Sequence, residues 1–164
     1  MDVEKTQPVK EKERTLMIDE VVMALRENGI TSVSVDTDGP VNISFKYDDS
    51  TFNLNLDNTP FLSFTLEFEL KTEDDISLMK VAAEYVSLRC SGACVFVVPD
   101  DLFWVVKYDY LSYSISSFRN QLCYVLDNML NIAGYFYHYY HNLVTNNRDT
   151  ESTAFVKTIG TSGY

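Results

Sequence analysis

Glycine and proline are scarce in this sequence, with 6 and 4 residues among 164. Both residues interrupt regular secondary structure, so their scarcity excludes a loop-rich or disordered chain and favours long helices and strands. Hydrophobic residues make up 46% of the chain, an ordinary share for a globular protein. A chain of this length buries roughly two thirds of its unfolded surface, so it needs no disulfide or metal to fold.

The sequence also lacks the marks of export and of membrane insertion. Its three cysteines are Cys90, Cys94 and Cys123, an odd number that is typical of a reducing compartment. Residues 1–14 are charged and contain no apolar stretch of the kind found in secretory signals. No apolar run approaches the ~18 residues that a membrane span needs. We therefore expect a cytoplasmic protein.

Negative charge dominates the composition. The formal net charge is −11, and the segment from Asp36 to Asp75 holds ten acidic residues against two basic ones. Such a surface repels phosphate backbones and anionic lipid head groups, so we expect neither nucleic-acid nor membrane binding. Two interpretations of the acidity remain open: it keeps the protein in solution, or it attracts a partner that has a basic segment.

Hydrophobic periodicity predicts an α+β fold. Apolar residues recur at helical spacing in a first helix and then alternate with polar residues in successive strands separated by short turns. This pattern predicts an antiparallel meander of three to four strands, then a helix, a hairpin and a long last helix, in the order α-β-β-β-(β)-α-β-β-α with helices packed on the sheet. The predicted ranges are a helix over 15–28, strands near 33–35, 41–47, 52–56 and 62–70, a helix to about 90, strands over 93–98 and 102–110, and a helix over roughly 28 residues from about 118.

We expect a single domain over residues 15–146, flanked by polar tails at 1–14 and 147–164. The first tail has a second interpretation, as a ragged start of the first helix. Thr72 and Asp75 have the spacing of a capped helix start. The strand over 93–98 is apolar on both faces, which predicts a central position covered by helices.

The sequence offers no complete set of catalytic or metal-binding residues. The two histidines, His138 and His141, lie three residues apart on the last helix with no acid or cysteine within a turn of them. No nucleophile elbow and no phosphate-binding loop is present. The paired acids fall at predicted turns and helix caps, where we do not expect the burial that raises a carboxyl pKa. We therefore expect a protein that is not an enzyme and has no cofactor and no metal.

The last helix is aromatic on every side, and its apolar arc is wider than packing on a sheet requires. Tyrosine is favoured at interfaces because it buries a large area and keeps a polar tip. A core helix with some exposed tyrosines explains the pattern equally well, so both interpretations stay open. The candidate contacts with a partner or a second subunit are Phe136, Tyr137, Tyr139, Tyr140 and Leu143.

The sequence resembles the YbjN-like domain, a bacterial family named as sensory transduction regulators, whose fold is similar to that of the type III secretion chaperones. The resemblance extends from about Thr15 to Leu143. It rests on residues 81–87 (VAAEYVS), 93–97 (ACVFV) and 104–110 (WVVKYDY) and on the helical pattern over 118–140. It implies a dimeric protein-binding module, and it brings no catalytic residues.

Together these observations predict a non-enzymatic protein-binding module, chaperone-like or regulatory, that forms a homodimer and binds a partner with a basic or apolar segment. An alternative is a small-molecule-binding or enzymatic domain with a pocket between the sheet and the last helix. A third hypothesis is a metal site at His138 and His141. The residues that could line the pocket are Trp104, Tyr108, Tyr110, Tyr137 and His141.

Overall fold

The computed structural model describes residues 7–57, 61–111 and 114–160. The elements in these ranges follow the order α-β-β-β-β-α-β-β-α, which confirms the predicted α+β fold. The helices are α1 (Gln7–Glu27), α2 (Ile76–Ser87) and α3 (Ile115–Gly160), and the strands are β1 (Val33–Asp36), β2 (Asn42–Tyr47), β3 (Ser50–Asn55), β4 (Phe61–Glu69), β5 (Ala93–Val98) and β6 (Phe103–Leu111).

The strands form one antiparallel sheet in the order β1-β2-β3-β4-β6-β5. The first four strands are the predicted meander, because each pairs with the next one along the chain; Val35, for example, lies opposite Ile43. Asp48 and Asp49 form the turn between β2 and β3 with φ angles of 47° and 58°. Two residues of positive φ give a turn whose twist matches that of the flanking strands.

β5 lies at an edge of the sheet, so the prediction that this strand is central and covered on both faces is wrong. Helix α2 packs against β5, and Ala93 and Val95 are buried, whereas Cys94 and Phe96 on the opposite face are exposed. The sequence does not distinguish an apolar residue on an exposed face from one in the core, and for this reason the apolar pattern of β5 does not show its place in the sheet.

The helices differ from their predicted ranges mainly at their ends. α1 begins at Gln7, in agreement with the ragged helix start, and α3 continues to Gly160 through residues expected to form a polar tail. α2 begins after Asp75, whose side chain accepts a hydrogen bond from the Leu78 N–H at 3.0 Å, and it ends at Ser87 rather than near residue 90. Polar helical turns lack the apolar periodicity on which such predictions depend.

The chain groups into two compact units, each made of two separate stretches of sequence. The first unit consists of Met1–Glu67 and Lys107–Met129, and the second consists of Phe68–Val106 and Leu130–Tyr164. The single domain predicted over 15–146 stays a prediction.

Phenylalanine pairs form the core of the first unit. Phe45 of β2 and Phe52 of β3 stack with ring centroids 5.8 Å apart, and Phe64 of β4 stacks on Phe118 of α3 at 6.2 Å. All four rings are buried. The meander and the first part of α3 are thereby packed together.

The end of α1 is bonded to α3 within the same unit. The Asn28 side chain donates from Nδ2 to the carbonyl of Ala24 at 2.9 Å and to the carbonyl of Arg119 at 3.1 Å. Glu27 pairs with Nε of Arg119 at 2.7 Å. Gly29 follows with a φ of +82°, the left-handed conformation that its position after the helix predicts.

In the second unit, α2 supplies much of the core. Met79, Ala82, Ala83 and Val86 are buried, as the helical spacing predicts. Val81, next to the buried Ala82, is 52% exposed.

Candidate functional site

An aromatic groove lies in the second unit, and Trp104 forms its floor. Trp104 is on β6 and is 4% exposed. Its ring centroid lies 4.2 Å from that of Phe68 on β4, with 15° between the planes, and 4.5 Å from that of Phe136 on α3. Aromatic contacts of this kind each contribute about 0.5–1.5 kcal/mol beyond the burial of area. The indole is therefore held firmly between a strand and a helix.

One face of α3 forms the wall of this groove. The wall residues have the spacing i, i+3, i+4 and i+7, which places them on one side of the helix. The groove has a volume of about 420 Å³, and sites that hold small ligands measure roughly 300–1,000 Å³. We call it the Trp104 groove, and its lining residues are Phe68, Glu69, Lys71, Trp104, Leu130, Ala133, Gly134 and Tyr137.

The rim of the Trp104 groove carries charged residues. Nζ of Lys71 donates to the hydroxyl of Tyr137 at 3.3 Å and lies 5.8 Å from the centre of the Tyr137 ring. The hydrogen bond to Tyr137, with a smaller effect of the nearby carboxylates of Glu73 and Asp74, raises the pKa of Lys71. Glu69 forms no ion pair with any residue in the described ranges. Negative charge therefore exceeds positive charge at the rim.

The second unit also has an exposed ridge, which we call the α2–α3 ridge. Its α2 side carries three apolar or aromatic positions, 81, 85 and 88, whose spacing of four and three places them on one helix face. Leu88, which caps the C-terminus of α2, is 78% exposed. The residues of the ridge are Val81, Tyr85, Leu88 and Arg89 from α2 and the turn after it, with Tyr135 and Tyr139 from α3.

Three planar groups are layered on this ridge. The rings of Tyr85 and Tyr139 stack with centroids 4.0 Å apart and 4° between their planes, and the guanidinium carbon of Arg89 lies 3.5 Å from the centre of the Tyr85 ring. Two groups this close cannot share one face of a ring, so Arg89 and Tyr139 enclose Tyr85 from opposite sides. Arg89 also donates from Nη1 to the Tyr85 carbonyl at 3.1 Å. A hydrogen bond with Tyr85 raises the pKa of Tyr135, which is thereby joined to the same cluster.

Two of the five residues predicted to contact a partner lie in the core of the second unit. Phe136 is fully buried against Trp104. Tyr140 is 2% exposed, and its hydroxyl accepts a hydrogen bond from the backbone N–H of Asp75 at 2.8 Å. Burial is the first cause of the raised pKa of Tyr140. Both side chains therefore stabilise the unit from within.

The other three predicted contact residues have accessible surface. Tyr137 lines the Trp104 groove, Tyr139 belongs to the α2–α3 ridge, and Leu143 is half-buried farther along α3. For these three residues, contact with a partner stays a prediction.

Of the residues predicted to line a pocket, Trp104 and Tyr137 do lie on one groove. Tyr108 and Tyr110 belong to the first unit. His141 packs edge-on against the Tyr137 ring, with centroids 4.3 Å apart, and is not a lining residue. The groove is thus built from fewer polar groups than the sequence predicts.

Both histidines are exposed on α3. Nε2 of His138 lies 3.2 Å from Nδ2 of Asn142, within hydrogen-bonding distance. Across residues 7–57, 61–111 and 114–160, no three or more His, Cys, Asp or Glu side chains are placed to hold one metal ion. In the same ranges, no helix combines the length and apolarity that crossing a bilayer requires.

A cleft of about 310 Å³ in the first unit is bordered by polar groups that bond one another. Nη2 of Arg14 lies 3.4 Å from Oδ1 of Asp57 and donates to the Gly39 carbonyl at 3.0 Å. The other oxygen of Asp57 accepts from the Val41 N–H at 2.6 Å. Because these groups satisfy one another, we interpret the cleft as structural.

Sequence reasoning missed several residues of the groove and the ridge. One signal was available in Ala133 and Gly134, two small residues in the middle of a long apolar helix pattern. Another was the spacing of Tyr85 and Arg89, which are four residues apart within the helix predicted to about 90 and can therefore stack. Phe68 lies within the strand predicted near 62–70, but periodicity does not reveal that its ring meets Trp104.

Comparison with known proteins relates the chain to others only through its fold. No protein-family model and no curated protein matches it. The structure is similar to that of an uncharacterized protein from Methanothermobacter thermautotrophicus, with 10% identity, a TM-score of 0.55, and coverage of 76% of this chain and 96% of that one. YbjN from E. coli aligns with 14% identity and a TM-score of 0.49, over 73% of this chain and 87% of that one.

A chain in the HopA1-SchA chaperone–effector complex aligns with 13% identity and a TM-score of 0.46, over 66% of this chain and 85% of that one. YbjN and a chaperone, the two kinds of protein that the sequence resembles, are thus both among the structures that align with this chain.

Proposed function

We propose that this chain is a non-enzymatic protein-binding module, chaperone-like or regulatory, that acts as a homodimer in the cytoplasm. The observation that carries the proposal is the α2–α3 ridge, where exposed aromatic and apolar side chains are already ordered. Tyr and Arg are among the residue types that contribute most to binding energy at protein interfaces. Immobilising a long side chain on binding costs about 0.5–1.5 kcal/mol, and the stack of Arg89, Tyr85 and Tyr139 reduces this cost because it forms within one chain.

The charge pattern on α2 supports a second copy of the chain as the occupant of the ridge. Glu84 lies on α2 and Arg89 lies in the turn after it; both are exposed, and by helical spacing they flank the apolar positions 81, 85 and 88 on opposite sides. In parallel helix pairs, charges that flank the apolar seam in this way face each other as the g and e positions of a heptad do. Two copies related by a two-fold axis along α2 place Glu84 of each copy next to Arg89 of the other.

The polar groups of the Trp104 groove and of the cleft in the first unit support the non-enzymatic part of the proposal. Lys71 is bonded to Tyr137 at the Trp104 groove, and Arg14 is paired with Asp57 at the cleft of the first unit. Neither surface directs an acid, a base and a nucleophile toward one point, which acid–base or covalent catalysis requires.

Charge-swapped variants test the homodimer. We expect light scattering of the native protein to give twice the chain mass of 18.8 kDa. Glu84→Arg and Arg89→Glu should each shift the equilibrium toward monomer, because each places like charges together at both contacts of the two-fold pair. The double variant E84R/R89E should restore the dimer, and so should an equimolar mixture of the two single variants.

A concentration-independent monomer in the native protein would refute the homodimer. A dimer that resists both single substitutions would show that the subunits meet elsewhere. Lys80→Glu, a charge reversal on α2 outside the ridge, is the matched control and should leave the mass unchanged.

The volume of the Trp104 groove favours a second candidate function, the binding of a small molecule. The groove is apolar inside and carries only Lys71, Glu69 and the Tyr137 hydroxyl as polar groups. Thermal stabilisation of the native protein by a small aromatic compound, lost when the groove is filled, would support this function over protein binding at the same place.

A further inference from the structure

Gly134 is unusual because the ordinary reasons for glycine do not apply to it. It lies inside α3, where glycine costs about 1 kcal/mol relative to alanine. Its backbone does not have the positive φ that favours glycine, and a Cβ built at this position meets no atom within 4 Å. No close packing therefore requires it. The effect that its missing side chain does have is to leave the Trp104 groove open.

The neighbouring wall residue has the same effect. Ala133 also presents only a methyl group, whereas Leu130 and Tyr137 extend along the two ends of the wall. The two small residues thus leave a space above an aromatic floor, bordered by larger apolar side chains. A space of this shape accepts a bulky apolar group, because such a group regains the contacts that the two small residues do not make.

The charge around the groove sets a second requirement for the molecule that occupies it. Glu69 lines the groove, and Glu73 and Asp74 are close enough to Lys71 to act on its charge. Lys71 keeps its positive charge in its hydrogen bond to Tyr137. It is, however, one cation against the three carboxylates of Glu69, Glu73 and Asp74, so the net charge at the rim is negative. A cation on the occupant is therefore favoured there, in a chain whose net charge is −11.

We infer that the Trp104 groove is a docking site for a partner protein segment in which a bulky apolar side chain, seated above Gly134, stands next to a lysine or arginine that pairs with Glu69. This inference rests on the proposed protein-binding function but does not depend on the homodimer, because the groove and the α2–α3 ridge are formed by different residues. It also assigns a place and a chemistry to the basic or apolar partner segment expected from the sequence.

Trp104 is the sole tryptophan of the chain, so its fluorescence reports directly on the groove. The probe is a pentapeptide in which lysines alternate with leucine and phenylalanine, titrated into the full-length protein. We expect a saturable change in Trp104 emission. A peptide with glutamates in place of the lysines should bind at least about tenfold more weakly, because it brings like charge to the rim.

Three variants test whether the change in Trp104 emission comes from binding in the groove. Gly134→Leu fills the groove and should abolish the response, whereas Asn131→Leu, which adds the same side chain at an exposed position of α3 outside the lining, should retain it. Glu69→Gln should weaken binding of the lysine peptide by about twofold to fivefold, the range expected for an exposed ion pair.

Four results would overturn the inference. The first is the absence of a saturable response of the native protein to the lysine peptide, and the second is binding of that peptide by Gly134→Leu as tight as by the native protein. Saturation by indole without a response to either peptide would assign the groove to a small ligand. Loss of the dimer in Gly134→Leu, measured by light scattering, would assign the groove to a second copy. A monomeric native protein that still binds the lysine peptide would refute the homodimer and support the docking of a partner segment in the Trp104 groove.

Discussion

The hydroxyl of Ser87 bonds both backbone polar groups of Val95: it accepts from the N–H at 2.8 Å and donates to the carbonyl at 3.1 Å. Val95 lies in the middle part of β5, which is an edge strand. An edge strand offers its outward N–H and C=O groups to strands of other molecules. Here a side chain at the end of α2 occupies these groups of Val95, so the edge is blocked at this residue without another strand.

Ser87→Ala should therefore open this edge. The loss of two hydrogen bonds should lower the free energy of unfolding by about 1–3 kcal/mol, measured by urea titration. The exposed groups of Val95 should also promote aggregation on heating, measured by light scattering. Ser87→Thr keeps the hydroxyl and is the control. Equal aggregation of Ser87→Ala and the native protein would indicate that the edge is protected by other means.

Two glycine substitutions should have opposite effects on stability. Gly134→Ala should raise the free energy of unfolding by about 0.5–1 kcal/mol, because alanine is the better helix former and the added methyl group meets nothing. Gly29→Ala should lower it by about 1 kcal/mol or more, because the φ of +82° is unfavourable for a residue with a Cβ. Chemical denaturation of both variants checks the contrast, and a destabilised Gly134→Ala would mean that the groove wall is more crowded than the structure shows.

The Tyr47 hydroxyl makes the free energy of unfolding depend on pH in the alkaline range. It donates to Oδ1 of Asp127 at 2.7 Å, and this bond, followed by burial and the nearby Cys123, raises the pKa of Tyr47 well above its ordinary value of 10.0. The stabilisation is complete below about pH 10 and declines as the pH rises further, because the unfolded chain then releases a proton that the folded chain retains.

Tyr47→Phe should thus lose about 1 kcal/mol near neutral pH and show a flatter decline of stability above about pH 10. Urea unfolding at a series of pH values measures both effects. Tyr124→Phe is the control, because Tyr124 is 72% exposed, and its profile should follow that of the native protein. If the free energy of unfolding falls equally with rising pH in Tyr47→Phe and in the native protein, other groups cause the loss of stability at alkaline pH.

The order of the elements could be predicted from the sequence because each one has a clear period. The meander strands alternate strictly, and the last helix repeats its apolar residues at steps of three and four. The periodicity could not give the location of β5, because the neighbours of a strand in the sheet depend on pairing with distant residues. Phe96 is apolar in a position where the structure leaves it exposed.

The candidate site was predictable only in part, for a related reason. Around α3 the aromatic residues occupy nearly every direction, so the sequence does not determine which of Phe136, Tyr137, Tyr139 and Tyr140 faces the core. The rotation of α3 about its own axis decides this, and it is set by contacts with Trp104 and with the N–H of Asp75, both far away in sequence. Composition alone also cannot show that two small residues form the wall of a groove.

The bond from Asn28 to the carbonyl of Arg119 joins residues that are 91 positions apart in the chain. The first unit needs Lys107–Met129 for completion, and the whole of Phe68–Val106 is synthesised before that stretch. Contacts between residues so distant in sequence are slow to form, because a long loop must close first. During synthesis, α1 and the meander must therefore wait for the ribosome to release the start of α3, and until then the apolar face of the sheet is available to molecular chaperones and to misfolding.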